Sequence, residues 1–449
     1  MLLVKAPNNF LPERRYIIDV FFKEFLGVTY SINFEDGRGE YEIQHASKSF
    51  MVKDCFWNNI KGEKYLRVEN IPTACSVEYV DLIKDDLISI YGESKIIDNE
   101  NKKVLESDVF ASAFFMLSRW EEFVVDEKDE HDRFPTKASL AYKMNFYQKP
   151  IINHYIELLK KLLIGIGVSE FKNRKFDLVH THDVDTPFMW RNIRNLFGRL
   201  WFYIKYNKNV TWWFTYDVFS YLKSVFGISK DPYDTYDYLM DQSEKCGTKS
   251  HFFFMDYGST FYDRYYKIND RRIKKLIQHI QNRKHHIGFH PSYNLKNDLK
   301  KFKLEKGKLE KSIGASLKTG RHHFLRFNVP STWRSWDQAN MKWDSTLGYS
   351  DEIGFRCGTC YPFTVFDCEK RKHLTLVEKP LIVMEQALIT NEKAKKEEML
   401  LEIKQVIDQI KKYEGEFVLL WHNAVFNAPE FRQYEGVHAE IIHYCKEKM

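Results

Sequence analysis

From residue 176 the chain alternates between short apolar runs and segments of helical period, and no other feature restricts its folding as much. The apolar runs are "FDLVHT", "SHFFFM", "HIGFH", "FLRFNV", "PLIVM" and "EFVLLW". Between them lie "YDTYDYLMDQSEKCG", "DRRIKKLIQHIQNRK" and the long "NEKAKKEEMLLEIKQVIDQIKKY". Neighbouring parallel strands need a crossover of a dozen or more residues, usually a helix, so this alternation implies βα units and a parallel sheet or barrel. The expected fold class is α/β. In such folds the chemistry gathers at the C-terminal ends of the strands.

The strand ends carry chemistry-bearing residues. "FDLVHT" runs on into "VHTHDVDTP", with His180, His182, Asp183 and Asp185. "HIGFH" ends in His290, and "EFVLLW" leads to His422. A lone Asp after a strand is usually a turn residue. Three separate strand ends with such residues weaken that reading. On an extended strand, residues i and i+2 point to the same side. Asp183 and Asp185 therefore face one cavity, and His180 and His182 face away. A metal centre needs a carboxylate, and hydrolysis needs a base for the attacking water; two same-side carboxylates can divide those tasks. His290 can supply a nitrogen ligand and Asn294 an oxygen, and His422 can protonate a leaving group.

These motifs resemble the NodB-homology polysaccharide deacetylases, carbohydrate esterase family four, over about residues 176–430. "THDVD" is similar to the family's first motif in an Asp-x-Asp variant. The resemblance implies that Asp183 is the catalytic base and Asp185 a metal ligand. "FHPSYN" is similar to the second motif, with His290 as its first ligand and Asn294 where the family has histidine. "LLWH" is similar to the last motif and implies that His422 is the general acid. The third motif is matched only loosely, by "RHHFLRF". Arg321 is expected to pair with Asp183, with Arg326 as a second candidate, and Glu385 to orient His422. The resemblance implies a distorted (β/α)7-type NodB barrel over 176–449 and one divalent metal ion, zinc by preference. The ligand set this implies is Asp185, His290 and, in the place of the family's second histidine, Asn294. The implied activity removes an N- or O-acetyl group from a carbohydrate, an amino-sugar precursor of a surface polysaccharide. Two alternatives stay open: an inactive carbohydrate-binding protein on the same fold, which Asn294 favours, and a deacylase for another acyl group such as formyl.

Ahead of the barrel, residues 1–105 read as a smaller α/β domain, with strands at "TYSINF", "KYLRV" and "DLISIYG" and a helix around Arg14–Leu26. Residues 106–175 read as a helical connector with a charged loop, "DEKDEHDRFP". "FFMLSRWEEF", "DRFP" and the helix after "YQKP" resemble an N-terminal domain that accompanies such deacetylases in bacterial polysaccharide loci. "CGTC" at Cys357–Cys360 has no second cysteine pair and reads as a structural loop by the pocket. His285 and His286 read as solvated cations at a helix end.

A net charge of +6 over 449 residues argues against nucleic acid as a partner. Seven scattered cysteines, no apolar run of 18 residues and no apolar leader at the N-terminus lead to an expected cytoplasmic location. One segment stands apart. Residues 190–229 hold six Arg or Lys against one Asp, with dense aromatics. They read either as a helical insertion packed on the barrel or as a peripheral membrane contact at the inner face.

Overall fold

The computed structural model describes residues 1–449 except 100–101, 207, 257, 259, 264–265, 391–394 and 428–435. The first eight strands are β1 (Leu2–Pro7), β2 (Tyr30–Glu35), β3 (Glu40–His45), β4 (Lys48–Lys53), β5 (Ser76–Val80), β6 (Asp85–Ser89), β7 (Gly92–Asn99) and β8 (Lys102–Ser107). Six of them form a mixed sheet in the order β2-β1-β3-β4-β8-β7, and β5 and β6 pair separately. "KYLRV" is not a strand but lies among short 3-10 turns at Lys61–Glu63 and Val68–Asn70.

The helix Val109–Ser118 follows, with all ten residues buried. Apolar on every side, it must be covered on every side. Phe110 packs on Phe21 and Tyr41 of the first sheet's layer, and Phe114 packs on Phe366 of the second. One continuous core thus runs through the molecule. Tyr16 donates its hydroxyl to the Thr364 carbonyl at 2.9 Å, and buried Glu13 receives Arg371 in a two-pronged pair at 2.7 and 2.9 Å. Glu122 receives both Arg119 and Arg356, at 2.9 and 2.7 Å. Burial alone would raise the Glu122 carboxyl, but the two guanidiniums bring it down to about 2.

The second sheet comprises β9 (Asp177–Val184), β10 (His251–Phe254), β11 (His286–Phe289), β12 (Thr319–Gly320), β13 (Trp343–Asp344), β14 (Phe363–Asp367), β15 (Lys372–Glu378), β16 (Val383–Met384) and β17 (Glu416–Leu420). Its order is β14-β15-β13-β12-β11-β10-β9-β17-β16. Every pairing is parallel except β14 with β15. Among the described residues the ladder does not close into a barrel. Three of its strands are only two residues long. Loop backbone bridges the gap instead, with Leu381 N donating to Leu347 O at 3.1 Å and Gly354 N to Ile382 O at 3.2 Å.

The helices Tyr236–Lys245, Arg271–Asn282, Leu299–Ile313, Ser331–Gln338 and Lys396–Lys412 connect the strands, and Val437–Lys448 follows the last of them. The helix Lys396–Lys412 buries Met399, Leu400, Ile403, Val406, Ile407 and Ile410, a stripe at helical spacing; residues 391–394 of the expected helix lie outside the described residues. "FLRFNV" is not a strand. Phe324 and Leu325 have φ of 59° and 51°, so the backbone turns there and cannot extend. At Gly320, a Cβ would lie 1.9 Å from the Phe289 carbonyl oxygen, so only glycine lets β12 approach β11 and deliver the next residue, Arg321.

Candidate metal centre and pocket

A cavity of about 520 Å³ opens at the C-terminal ends of the parallel strands. Asp183, Asp185, His290 and His422 all line it. Asp183 is the penultimate residue of β9, and Asp185 lies just beyond that strand. His290 follows β11, and His422 lies two residues past β17. His180 and His182 point to the other side of β9, where they are fully buried.

Asp185 is the centre of the cluster. Its Oδ1 lies 3.1 Å from His290 Nε2 and 3.6 Å from His323 Nε2. Its Oδ2 lies 3.4 Å from His422 Nε2. Each imidazole is held by its other nitrogen. His290 Nδ1 donates to the Arg321 carbonyl at 2.6 Å, His323 Nδ1 to Asp263 Oδ1 at 3.0 Å, and His422 Nδ1 to Glu385 Oε1. A carbonyl or carboxylate only accepts, so each Nδ1 carries the proton and each Nε2 is turned toward Asp185. This is how metal-ligating histidines are oriented by their outer partners.

Burial alone would raise the Asp185 carboxyl, but the imidazoles of His323, His290 and His422 hold it well below the usual carboxylate range. Burial likewise works against charge on His290 and His422. Asp183 and Asp185 nevertheless raise the His290 imidazole, and Glu385 raises His422 well above the ordinary value. The pocket thus calls for positive charge beside Asp185, which protons on the imidazoles or a metal ion can supply. A metal fits. Asp185 Oδ1 and His290 Nε2 are buried atoms without an aligned hydrogen-bond partner. Together with a ring nitrogen of His323 they form a donor set within 4.8 Å. One carboxylate and two imidazoles are donors of the kind zinc takes, with room left for water or substrate.

Asn294 is not part of this set. It is exposed, and its amide oxygen accepts from Arg326 Nη1 at 3.2 Å. The third donor is His323, one residue before the left-handed turn at Phe324–Leu325. Such consecutive positive φ values in non-glycine residues are strained and persist where the surroundings impose them. Arg321 is buried and donates through Nη1 to Asp183 Oδ1 and Thr181 Oγ1, each at 3.0 Å, and through Nε to Ser345 O at 2.7 Å.

Arg326, the second candidate partner for Asp183, serves another purpose. It donates to the His131 carbonyl at 2.8 Å, to Tyr293 O at 2.5 Å and to Asp132 Oδ2 at 3.2 Å. Lys296 also bonds Asp132, and Arg133 Nη1 donates to Phe324 O at 3.1 Å. These contacts pin the loop "DEKDEHDRFP" over the site, where Asp129, His131, Arg133 and Thr136 form one wall of the cavity. Two expectations for nearby residues are corrected. His285 is buried rather than a solvated cation: its Nδ1 accepts the Ser250 N–H at 2.9 Å, and burial lowers its pKa. Cys357 and Cys360 do not line the cavity; both thiols are buried in the core, and burial pushes Cys360 up to about 12.

The sequence spacing had no means of showing His323, Asp263 or the 129–136 wall. The available signal for His323 was "TGRHH", a glycine-tight strand followed by an Arg and two histidines.

Residues 2–166 match the model of a family of unknown function, DUF7033. That span ends just past the helix Ile151–Gly165 and includes the loop that walls the cavity. Comparison with curated proteins gives no match. Among solved structures, the chain is similar to one described as a "putative polysaccharide deacetylase from Mycobacterium smegmatis". The TM-score is 0.37 at 14% identity, over 62% of this chain and 86% of that one.

Proposed function

We propose that the protein is a metal-dependent hydrolase that removes an acetyl group from a carbohydrate, an amino-sugar precursor of a surface polysaccharide. The observation that carries this reading is the convergence of Asp185, His290 and His323 on one point. Asp183, paired with Arg321, and His422, paired with Glu385, line the same cavity. A divalent ion held by the three donors, zinc by their chemistry, would polarise an acyl carbonyl and acidify a water.

The chain's own residues supply the proton transfers. Arg321 holds and orients Asp183 through Oδ1, so its second oxygen is available to take a proton from the attacking water. Glu385 fixes the His422 ring through Nδ1 and favours its imidazolium form. Nε2 then has a proton to give to the departing amine. A cavity of about 520 Å³ is in the range of small-molecule sites, about 300–1,000 Å³, and suits a small saccharide better than a polymer passing through.

The carbohydrate-binding alternative drew on a weak third ligand at Asn294; His323 beside Asp185 and His290 supports the hydrolase reading over it. The reading is tested by elemental analysis after zinc reconstitution, together with acetate release from N-acetylated amino sugars in free, nucleotide-activated and lipid-linked form. Stoichiometric metal and chelator-sensitive acetate release are expected. Failure to retain metal after reconstitution defeats the proposal.

A further inference from the structure

Twelve of the twenty-five large hydrophobic side chains left exposed among the described residues lie between Ile193 and Ile228. That stretch is under a tenth of the chain. Its helices are amphipathic, but with an apolar stripe on the outside as well. In the helix Ile193–Lys205, Leu196 and Tyr203 turn inward and are buried. Ile193, Phe197, Trp201 and Ile204 form a second stripe, and each is more than half exposed. In the helix Val218–Val225, Val218 and Tyr221 pack on a small core around Met189, Trp190 and Leu196. Phe219, Leu222 and Val225 face out, and Phe226 and Ile228 just beyond them are each 72% exposed.

The insertion therefore has its own packed core and an apolar surface left over. Packing against the rest of the molecule accounts for Leu196 and Tyr203; it does not account for Trp201 or Phe226. Exposed apolar patches on this scale mark interaction sites.

The charge pattern says what kind of surface covers it. Asp217 is the one acidic residue in 190–229, and it is buried against Arg199 at 2.8 Å. The other five cations, Arg191, Arg194, Lys205, Lys208 and Lys223, are all exposed. The Lys205 ammonium lies 4.7 Å from the Trp201 ring centre and 5.1 Å from that of Tyr206, which sets a cation beside aromatic side chains. At the foot of the insertion a second cavity, of about 540 Å³, is lined by Arg191, Lys267 and Arg272, with Asp270 as its one carboxylate. Aromatic and aliphatic side chains ringed by cations, with no exposed carboxylate within 191–228, match the boundary between lipid headgroups and acyl chains. No helix among the described residues is long and apolar enough to cross a membrane.

We propose that residues 191–228 form a docking face that lies in the headgroup layer of an anionic lipid bilayer. The aromatic and aliphatic stripe enters the acyl boundary, and the five exposed cations meet the lipid phosphates. Since the chain enters the insertion a few residues after Asp185, docking brings the cavity lined by Asp185 toward the lipid surface. The proposal stands independently of the hydrolase reading.

The test uses the whole protein and sedimentation with phosphatidylcholine vesicles, with or without phosphatidylglycerol. Binding is expected with the anionic vesicles at low salt and is expected to weaken at about 0.5 M salt, where charges are screened within a few ångströms. Arg194→Gln with Lys205→Gln should lower partitioning about thirtyfold, at the usual contribution of a cation near an anionic surface. Trp201→Glu with Phe226→Glu should abolish it. All four side chains are exposed, so the melting temperature should be unchanged, and this is measured alongside. No pelleting with anionic vesicles at low salt overturns the proposal. Equal pelleting with neutral vesicles overturns its charge component. A dimer in light scattering that Trp201→Glu dissociates, without vesicle binding, assigns the face to a second copy of the chain and also overturns it.

Discussion

The two faces of β9 are built from alternating residues of one short segment, "HTHDVD", and both are buried, yet they are electrostatically opposite. On the cavity face Asp183 meets a guanidinium, and Asp185 beyond it meets three imidazoles. On the other face His180 and His182 lie under the helices Tyr236–Lys245 and Val437–Lys448. His180 contacts Ser243 Oγ at 2.7 Å and His438 Nε2 at 3.0 Å, and His182 contacts Trp421 O at 2.7 Å and Ser250 Oγ at 3.2 Å. His438 completes the chain through the Tyr238 hydroxyl at 3.1 Å. Every partner on this side is neutral, and burial lowers the pKa of His180, His182 and His438 well below the ordinary value. Burial therefore does not itself make a reactive group. With neutral partners it discharges an imidazole; with imidazoles around it, the Asp185 carboxyl stays ionised.

The comparison is broken most directly at Asp183. Asp183→Asn should leave metal content intact and lower acetate release by about two orders of magnitude or more, the scale of a lost general base. Loss of metal in this variant would mean that the two aspartates have been given each other's roles.

Asp263 sharpens the cavity side, because it touches the cluster only through His323 Nδ1. Asp263→Asn should weaken metal affinity about ten- to a hundredfold, as for other outer partners of ligating histidines. Competition with a chromogenic chelator measures it. Unchanged affinity would remove His323 from the ligand set.

On the opposite face, His182→Ala should cost about 1–3 kcal/mol in denaturant unfolding, because it takes the imidazole partner from the Trp421 carbonyl and leaves Ser250 Oγ with Ser243 alone. Metal affinity and turnover of the folded fraction should not change. A shift in either would show that the two faces are coupled.

The smallest effect is a pH slope. The unfolded chain takes up protons at His180, His182 and His438 below about pH 6.5, and the folded chain resists them. Stability is therefore complete above that pH and falls as pH drops, by about 1.4 kcal/mol per pH unit for each such imidazole. His438→Phe should flatten the slope by one such increment in the metal-free protein. An unaltered slope would mean that His438 is protonated in the fold.

By itself the sequence determined the strand-and-helix alternation after residue 176 and the strand ends at which Asp183, Asp185, His290 and His422 sit. It also separated the two faces of β9. Each of these follows from a period of two or of 3.6 acting over a few neighbouring residues, so it is written locally. Tertiary structure alone decided three other things. His323, rather than Asn294, stands beside Asp185 and His290 as the third candidate donor, next to a left-handed turn at Phe324–Leu325 that no side-chain pattern announces. The 129–136 loop becomes a wall of the cavity because Arg326 and Lys296, more than 160 positions away in the chain, hold its backbone and Asp132. Among the described residues the sheet stays open, and loop backbone at Leu347–Leu381 and Gly354–Ile382 takes the place of a closing ladder. In each case the deciding contact joins segments far apart in the chain, and hydrophobic period carries no information about which distant segment will supply a partner.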